Sequence, residues 1–183
     1  MQVFVSGTWS EAKAAPFVGE AELLGRAIAD HGLDLACGPG TGIARHVIDG
    51  YLSRANRGVV RYYLPLRAEM EAVGEPVNPG ADEIVETEFD YPMRNVYQVQ
   101  QSHGLFVLTG GDGTLEEILP AVIDYRLPVA IIEDAGSASI AMKRLVEIYP
   151  EWTELVVFGR TVGDVVDEWL SRVSVPATKV TGL

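Results

Sequence analysis

Residues 104–126 read GLFVLTGGDGTLEEILPAVIDYR, and this stretch decides the fold. An unbroken apolar run, Leu105 to Leu108, is short enough for a strand covered on both faces. Behind it stand Gly110, Gly111 and Gly113. Then Leu115, Ile118, Leu119 and Val122 recur at the three- and four-residue spacing of a helix. A strand passing through a glycine turn into a helix is half of a parallel crossover unit.

Working outward, the same alternation repeats. Apolar β-rich runs occur at Val3 to Val5, Leu33 to Ala36, Val59 to Leu64, Ile84 to Phe89, Val129 to Ile132 and Leu155 to Phe158. Helix-period segments lie between most of them, at 16–31, 42–56, 92–103, 115–126, 137–149 and 163–173. The pattern predicts an α/β chain: a Rossmann-like, doubly wound, mostly parallel sheet of about seven strands with helices on both faces. We read residues 1–173 as one domain and 174–183, SVPATKVTGL, as a C-terminal tail. The break from Arg67 to Asp82, with Pro76, Pro79 and Gly80, reads as a loop or lid.

Composition bounds the function. A chain of 183 residues with 48% hydrophobic content has enough apolar mass for a substantial core. Its 14 Lys+Arg against 26 Asp+Glu leave a net charge of −12, which repels phosphate backbones and anionic membranes, so neither nucleic acid nor membrane is an expected partner. A single cysteine, Cys37, excludes an intrachain disulfide and a multi-thiolate zinc site, and the expected location is cytoplasmic. Cys37 reads as a small buried hydrophobe. His31, His46 and His103 share no ligand spacing; no metal and no resident cofactor are assigned.

In a parallel sheet, residues just after the strands gather at one edge. The candidate segments there are Ser6-Gly7-Thr8, Cys37 to Gly42 with Gly38 and Gly40, Tyr91-Pro92-Met93-Arg94, and Thr109 to Glu117. Gly110-Gly111-Asp112-Gly113-Thr114 suits a phosphate, because bare glycine backbone lets N–H groups approach and a helix N-terminus favours an anion; it also suits a plain tight turn. Arg94 stands in the first turn of its helix, an unfavourable place for a cation, which suggests either a purpose or a surface pair with Asp90 or Glu88. Glu117 is a candidate catalytic carboxylate, yet Thr114-Leu115-Glu116-Glu117 also fits a capping box. If the fourth and fifth strands are neighbours, Arg94 falls beside the glycine loop and Glu117.

The order VFVSGT at 3–8, LACGPGTG at 35–42, MRN at 93–95 and TGGDGTLEE at 109–117 resembles the LOG ("lonely guy") phosphoribohydrolases, a family formerly called lysine decarboxylases. Their hallmark is PGGxGTxxE preceded by Met-x-x-Arg-Lys. The resemblance covers roughly residues 1–135 and implies hydrolysis of a nucleoside 5′-monophosphate, AMP-like or a cytokinin riboside monophosphate, to free base and ribose 5-phosphate. It implies Arg94 and Glu117 as the catalytic pair, Gly110 to Thr114 as the phosphate loop, and a homodimer; Gly7, Thr8, Gly38, Gly40 and Met93, from the segments at the same sheet edge, are the further candidate substrate and phosphate contacts. Thr109 replaces the family proline and Asn95 the lysine, the Met93-Arg94 spacing is shortened, and the second glycine segment is one residue tighter. Two other readings stand beside this one: a non-catalytic binder or carrier of a nucleotide or phosphorylated cofactor in the same superfamily, and a GGDGT-type NAD or lipid kinase, which would need magnesium and a second β-rich domain.

Overall fold

The computed structural model describes residues 1–173; the expected tail at 174–183 lies outside the described residues. Seven strands form one parallel sheet: β1 (Gln2–Ser6), β2 (Asp34–Cys37), β3 (Val60–Leu64), β4 (Glu83–Glu86), β5 (Leu105–Val107), β6 (Val129–Ile132) and β7 (Val156–Gly159). Their order across the sheet is β4-β3-β2-β1-β5-β6-β7. The α/β doubly wound architecture expected from the alternation is therefore present. Beyond Glu117 the chain adds β6 and β7 to the same sheet, with no second β-rich domain among the described residues.

Strand parity divides the core. Val3 and Val5 of β1, Leu35 of β2 and Phe106 of β5 face one layer, formed by α2 (Val18–Asp30), α3 (Ile43–Leu52) and α8 (Val162–Val173). Phe4, Ala36, Leu105 and Val107 face the other, formed by α5 (Tyr91–Gln100), α6 (Asp112–Ile123) and α7 (Ser137–Ile148). Because side chains alternate along a strand, Ser6 shares the face of Phe4 and looks toward α5 and α6. Trp169 of α8 closes its layer: it is fully buried, meets Phe106 edge-on at 5.2 Å and donates its indole N–H to the Pro128 carbonyl.

Four details differ from expectation. Strands β4 and β5 are not neighbours; β1 pairs with both β2 and β5, in the register Phe4↔Leu105, Val5↔Phe106 and Ser6↔Val107. The mostly exposed residues of β4, EIVE, suit an edge, whereas β1 is buried throughout and sits centrally. The segment 67–82 is not all loop: Arg67–Val73 forms α4, whose one buried residue, Met70, leaves too thin an apolar stripe to read, and which ends at Gly74 with φ +69. The fourth strand stops at Glu86, because Glu88 turns to φ +57 and the chain bends toward α5. Finally, a short α1 (Glu11–Ala14) and a 3-10 turn at Ala15–Phe17 precede α2, which starts two residues later than its periodicity suggests because Pro16 and the turn occupy the approach.

Candidate active site

Strand numbering runs outward from β1 to β4 on one side, then jumps back to β5 on the other. The cleft at the carboxyl ends of β1 and β5 is thus the switch point where open α/β sheets hold ligands. A cavity of about 410 Å³ opens there. The crossover helix α5, returning from the β4 edge to β5, brings Arg94 and Gln98 to it, which is how Arg94 reaches Glu117 although β4 and β5 are apart.

Glu117 stands in the buried stripe of α6, with Thr114, Ile118, Ala121 and Val122. It is 9% exposed. The Ser6 hydroxyl donates to its Oε2, and the Gln98 amide donates to Oε1 at 2.8 Å. Burial pushes its pKa up from 4.5 to about 7; the hydrogen bond from Ser6, the charge of Arg94 and the bond from Gln98 pull the other way, and Glu116 adds to the rise. The capping box is absent. Helix α6 begins at Asp112 with Gly111 as N-cap, so Thr114 is already inside the helix, packed against Gly110, and the Glu117 carboxyl is committed to Ser6 and Gln98.

Arg94 is 6% exposed and so forms no surface pair with Asp90 or Glu88. Its Nη1 donates to the Tyr63 carbonyl at 3.0 Å, and its guanidinium lies 5.3 Å from the centre of the Tyr91 ring. A side chain on Gly38 would stand 3.1 Å from that Nη1, so the bare glycine leaves room for the cation. Among the described residues, Arg94 Nε and Gln98 Oε1 are buried with no hydrogen-bond partner. Native interiors rarely leave such atoms orphaned, and both belong to residues that line the cavity.

The first-turn N–H groups of α6 have no intrahelical acceptors and no side-chain cap. Gly111, Asp112, Gly113 and Thr114 line the cavity, and a Cβ at Gly113 would meet nothing within 4 Å among the described residues, so the backbone there is open to an anion. Of the residues expected at the site, Gly7, Thr8, Gly38, Arg94, Gly111 to Thr114 and Glu117 share this cavity. Gly40, Met93 and Gly110 do not line it. Gly40 is turned against Tyr62 with φ +80 and its carbonyl accepts from Asn78; Met93 is exposed on the outer side of α5; Gly110 is packed against Thr114 and Gly136. Burial pushes the Cys37 thiol far up, as expected of an inert core cysteine.

Ser6 lies in a candidate segment but carries no assigned role there, and Gln98, with no charge and no recognised spacing, is not singled out by the sequence. Parity with Phe4 along β1 and the four-residue step from Arg94 along α5 are the signals that point to them. Glu75, from the loop after α4, also borders the cavity and accepts from Tyr91 Oη at 2.6 Å and Thr41 Oγ1 at 3.1 Å, tying that loop to the glycine segment and to α5. Among the described residues, no group of three His, Cys, Asp or Glu is placed to hold a metal ion, and no helix is long and apolar enough to cross a membrane.

The family model described as the SLOG cluster4 family matches residues 1–152. No curated protein matches the chain. Among solved structures, TM1055 superposes with a TM-score of 0.74 at 22% identity, over 93% of this chain and 98% of that one. The molybdenum cofactor carrier protein of Chlamydomonas reinhardtii gives 0.73 at 21% identity, over 93% and 98% of the two chains. The molybdenum cofactor binding protein of the phototrophic bacterium Rippkaea orientalis gives 0.69 at 19%, over 93% and 94%. At such identities the likeness is one of fold.

Proposed function

The chain belongs to the SLOG cluster4 family, a LOG-like group of the Rossmann-like superfamily, and from that premise we propose that it binds a nucleoside 5′-monophosphate and hydrolyses its N-glycosidic bond. The observation that carries this reading is the meeting of Arg94, Glu117 and the open first turn of α6 in one cavity. In it, the phosphate sits on the α6 N–H groups, where both the helix dipole and the unpaired donors favour an anion. The ribose then lies toward Glu117. As the bond from C1′ to the base nitrogen breaks, positive charge grows on the sugar, and the ionised carboxyl stabilises it; water adds its oxygen to C1′ through Glu117 as base, and one water proton leaves with the base. Arg94, with its unpartnered Nε, holds the substrate or the departing base. The products are free base and ribose 5-phosphate.

The test is a panel of nucleoside 5′-monophosphates, AMP among them, with released base followed by chromatography. Base release by the wild type and its loss in Glu117→Gln support the reading; no base from any member sinks it.

A second reading is a carrier of a phosphorylated cofactor. It is favoured by the fold likeness to proteins named as a molybdenum cofactor carrier and a molybdenum cofactor binding protein. It is also favoured by the two hydrogen bonds that already occupy the Glu117 carboxyl. Tight nucleotide binding in calorimetry with no base after long incubation would select it over hydrolysis.

A further inference from the structure

We propose that Trp9 is the platform on which the planar heterocycle of the ligand stacks, so that the site selects a phosphate ester bearing an aromatic ring over a phosphosugar alone. This rests on the reading above that the cavity holds a phosphorylated small molecule, and it serves a nucleotide and a ring-bearing cofactor alike.

Trp9 is 64% exposed and lines the cavity. Among the described residues it pairs with no other ring and no cation, whereas Trp152 stacks on Tyr149 and Trp169 meets Phe106. An indole held in water beside a binding cavity is an unspent aromatic surface. Its backbone is fixed from both sides. The Thr8 carbonyl accepts from Ile43 N–H at 3.0 Å, and Ser10 N–H donates to Thr8 Oγ1 at 3.2 Å. Gly42 has φ +54, and a Cβ there would lie 2.1 Å from the Thr8 carbonyl oxygen and 2.6 Å from the Trp9 carbonyl carbon; only glycine lets the Trp9 segment press so closely on the start of α3. The ring is thus carried on an anchored segment, and little backbone freedom is lost when a ligand settles on it.

The rest of the cavity completes the match. Pro39, Ala44 and Val73 are apolar groups that line it together with Trp9, while Arg94, Glu117, Lys13, Glu75 and the α6 turn are among its polar lining. A compound with a planar ring joined to a phosphate through a sugar has the same two-part character.

The experiment compares AMP with ribose 5-phosphate on the wild type, Trp9→Ala and Trp9→Phe. Ribose 5-phosphate has no glycosidic bond to cleave and is titrated by calorimetry; AMP is measured by rapid-filtration binding and by stopped-flow tryptophan fluorescence before turnover. Trp9→Ala should weaken AMP by roughly 5- to 150-fold and leave ribose 5-phosphate unchanged, with Trp9→Phe recovering most of the loss. AMP should quench emission in the wild type and not in Trp9→Phe, where Trp152 and Trp169 remain. Equal loss for both ligands, or none for AMP, overturns the role of Trp9 while the site reading stands. Failure of the wild type to bind either compound overturns both.

Discussion

The Ser6 hydroxyl donates to Oε2 of Glu117, joining the end of β1 to the second turn of α6 across 111 residues of chain. With Gln98 on the other oxygen, the carboxyl is held from two elements and turned to the mouth between β1 and β5. A carboxyl so placed has one orientation, and its proton is governed by burial more than by its partners. Glu117→Gln keeps the shape and removes the charge. We expect kcat to fall about 100-fold or more with KM nearly unchanged, since the lost interaction grows in the transition state. Steady-state base release measures it, and unchanged turnover would leave Glu117 a structural residue.

The raised pKa gives kcat/KM a pH dependence. If the ionised carboxyl does the work, kcat/KM should climb about tenfold per pH unit below about 7 and level off above it. Arg94 pulls this pKa down, so Arg94→Ala should move the midpoint upward, besides weakening substrate binding by roughly 10- to 150-fold. A profile whose midpoint is the same in both proteins would mean that the guanidinium does not act on Glu117.

Stability should carry the same signature with the opposite sign. Between about pH 4.5 and 7 the folded protein keeps a proton that the unfolded chain has released, so stability falls as pH rises through that window and is flat above it. The full loss is on the order of 3 kcal/mol. Urea unfolding at pH 5 and pH 8 should therefore show Glu117→Gln gaining on the wild type as pH rises. Parallel curves for the two proteins would mean that the carboxyl titrates near its ordinary value.

Much of this was legible in the chain and some was not, for physical reasons that particular residues make plain. Continuous apolar runs such as LFVL and helix-period runs such as LEEILPAVI announced a parallel sheet covered on both faces, and glycines at 110, 111 and 113 marked the turn at its edge. Strand order was not legible, because periodicity says which face is buried and nothing of which strand is the neighbour; β4 went to the edge, and Arg94 reached the site through a crossover helix. Helix α4 escaped because it buries one side chain, Met70. Glu117 looked like a cap because Thr114-to-Glu117 spacing is local, while its actual partners, Ser6 and Gln98, are distant in sequence.

Helices α2 and α3, whose layer supports the Trp9 segment through the start of α3, touch backbone to backbone. A Cβ on Gly25 would stand 2.0 Å from the Val47 carbonyl oxygen and 2.7 Å from Tyr51 N, and one on Gly50 would stand 2.2 Å from the Glu22 carbonyl oxygen. Replacing a helical glycine by alanine ordinarily gains up to about 1 kcal/mol of helix propensity. Here the obstructing atoms belong to backbone and cannot rotate away, so overpacking of about 1–3 kcal/mol or more outweighs the gain. Gly19, on the same helix α2, has nothing among the described residues within 4 Å of the added carbon. Gly19→Ala should therefore raise the urea midpoint slightly, and Gly25→Ala should lower it by an amount equal to at least about 1 kcal/mol of stability. If Gly25→Ala matched Gly19→Ala, the two helices would be farther apart in solution than their packing here requires, and the anchor beneath Trp9 would be looser in proportion.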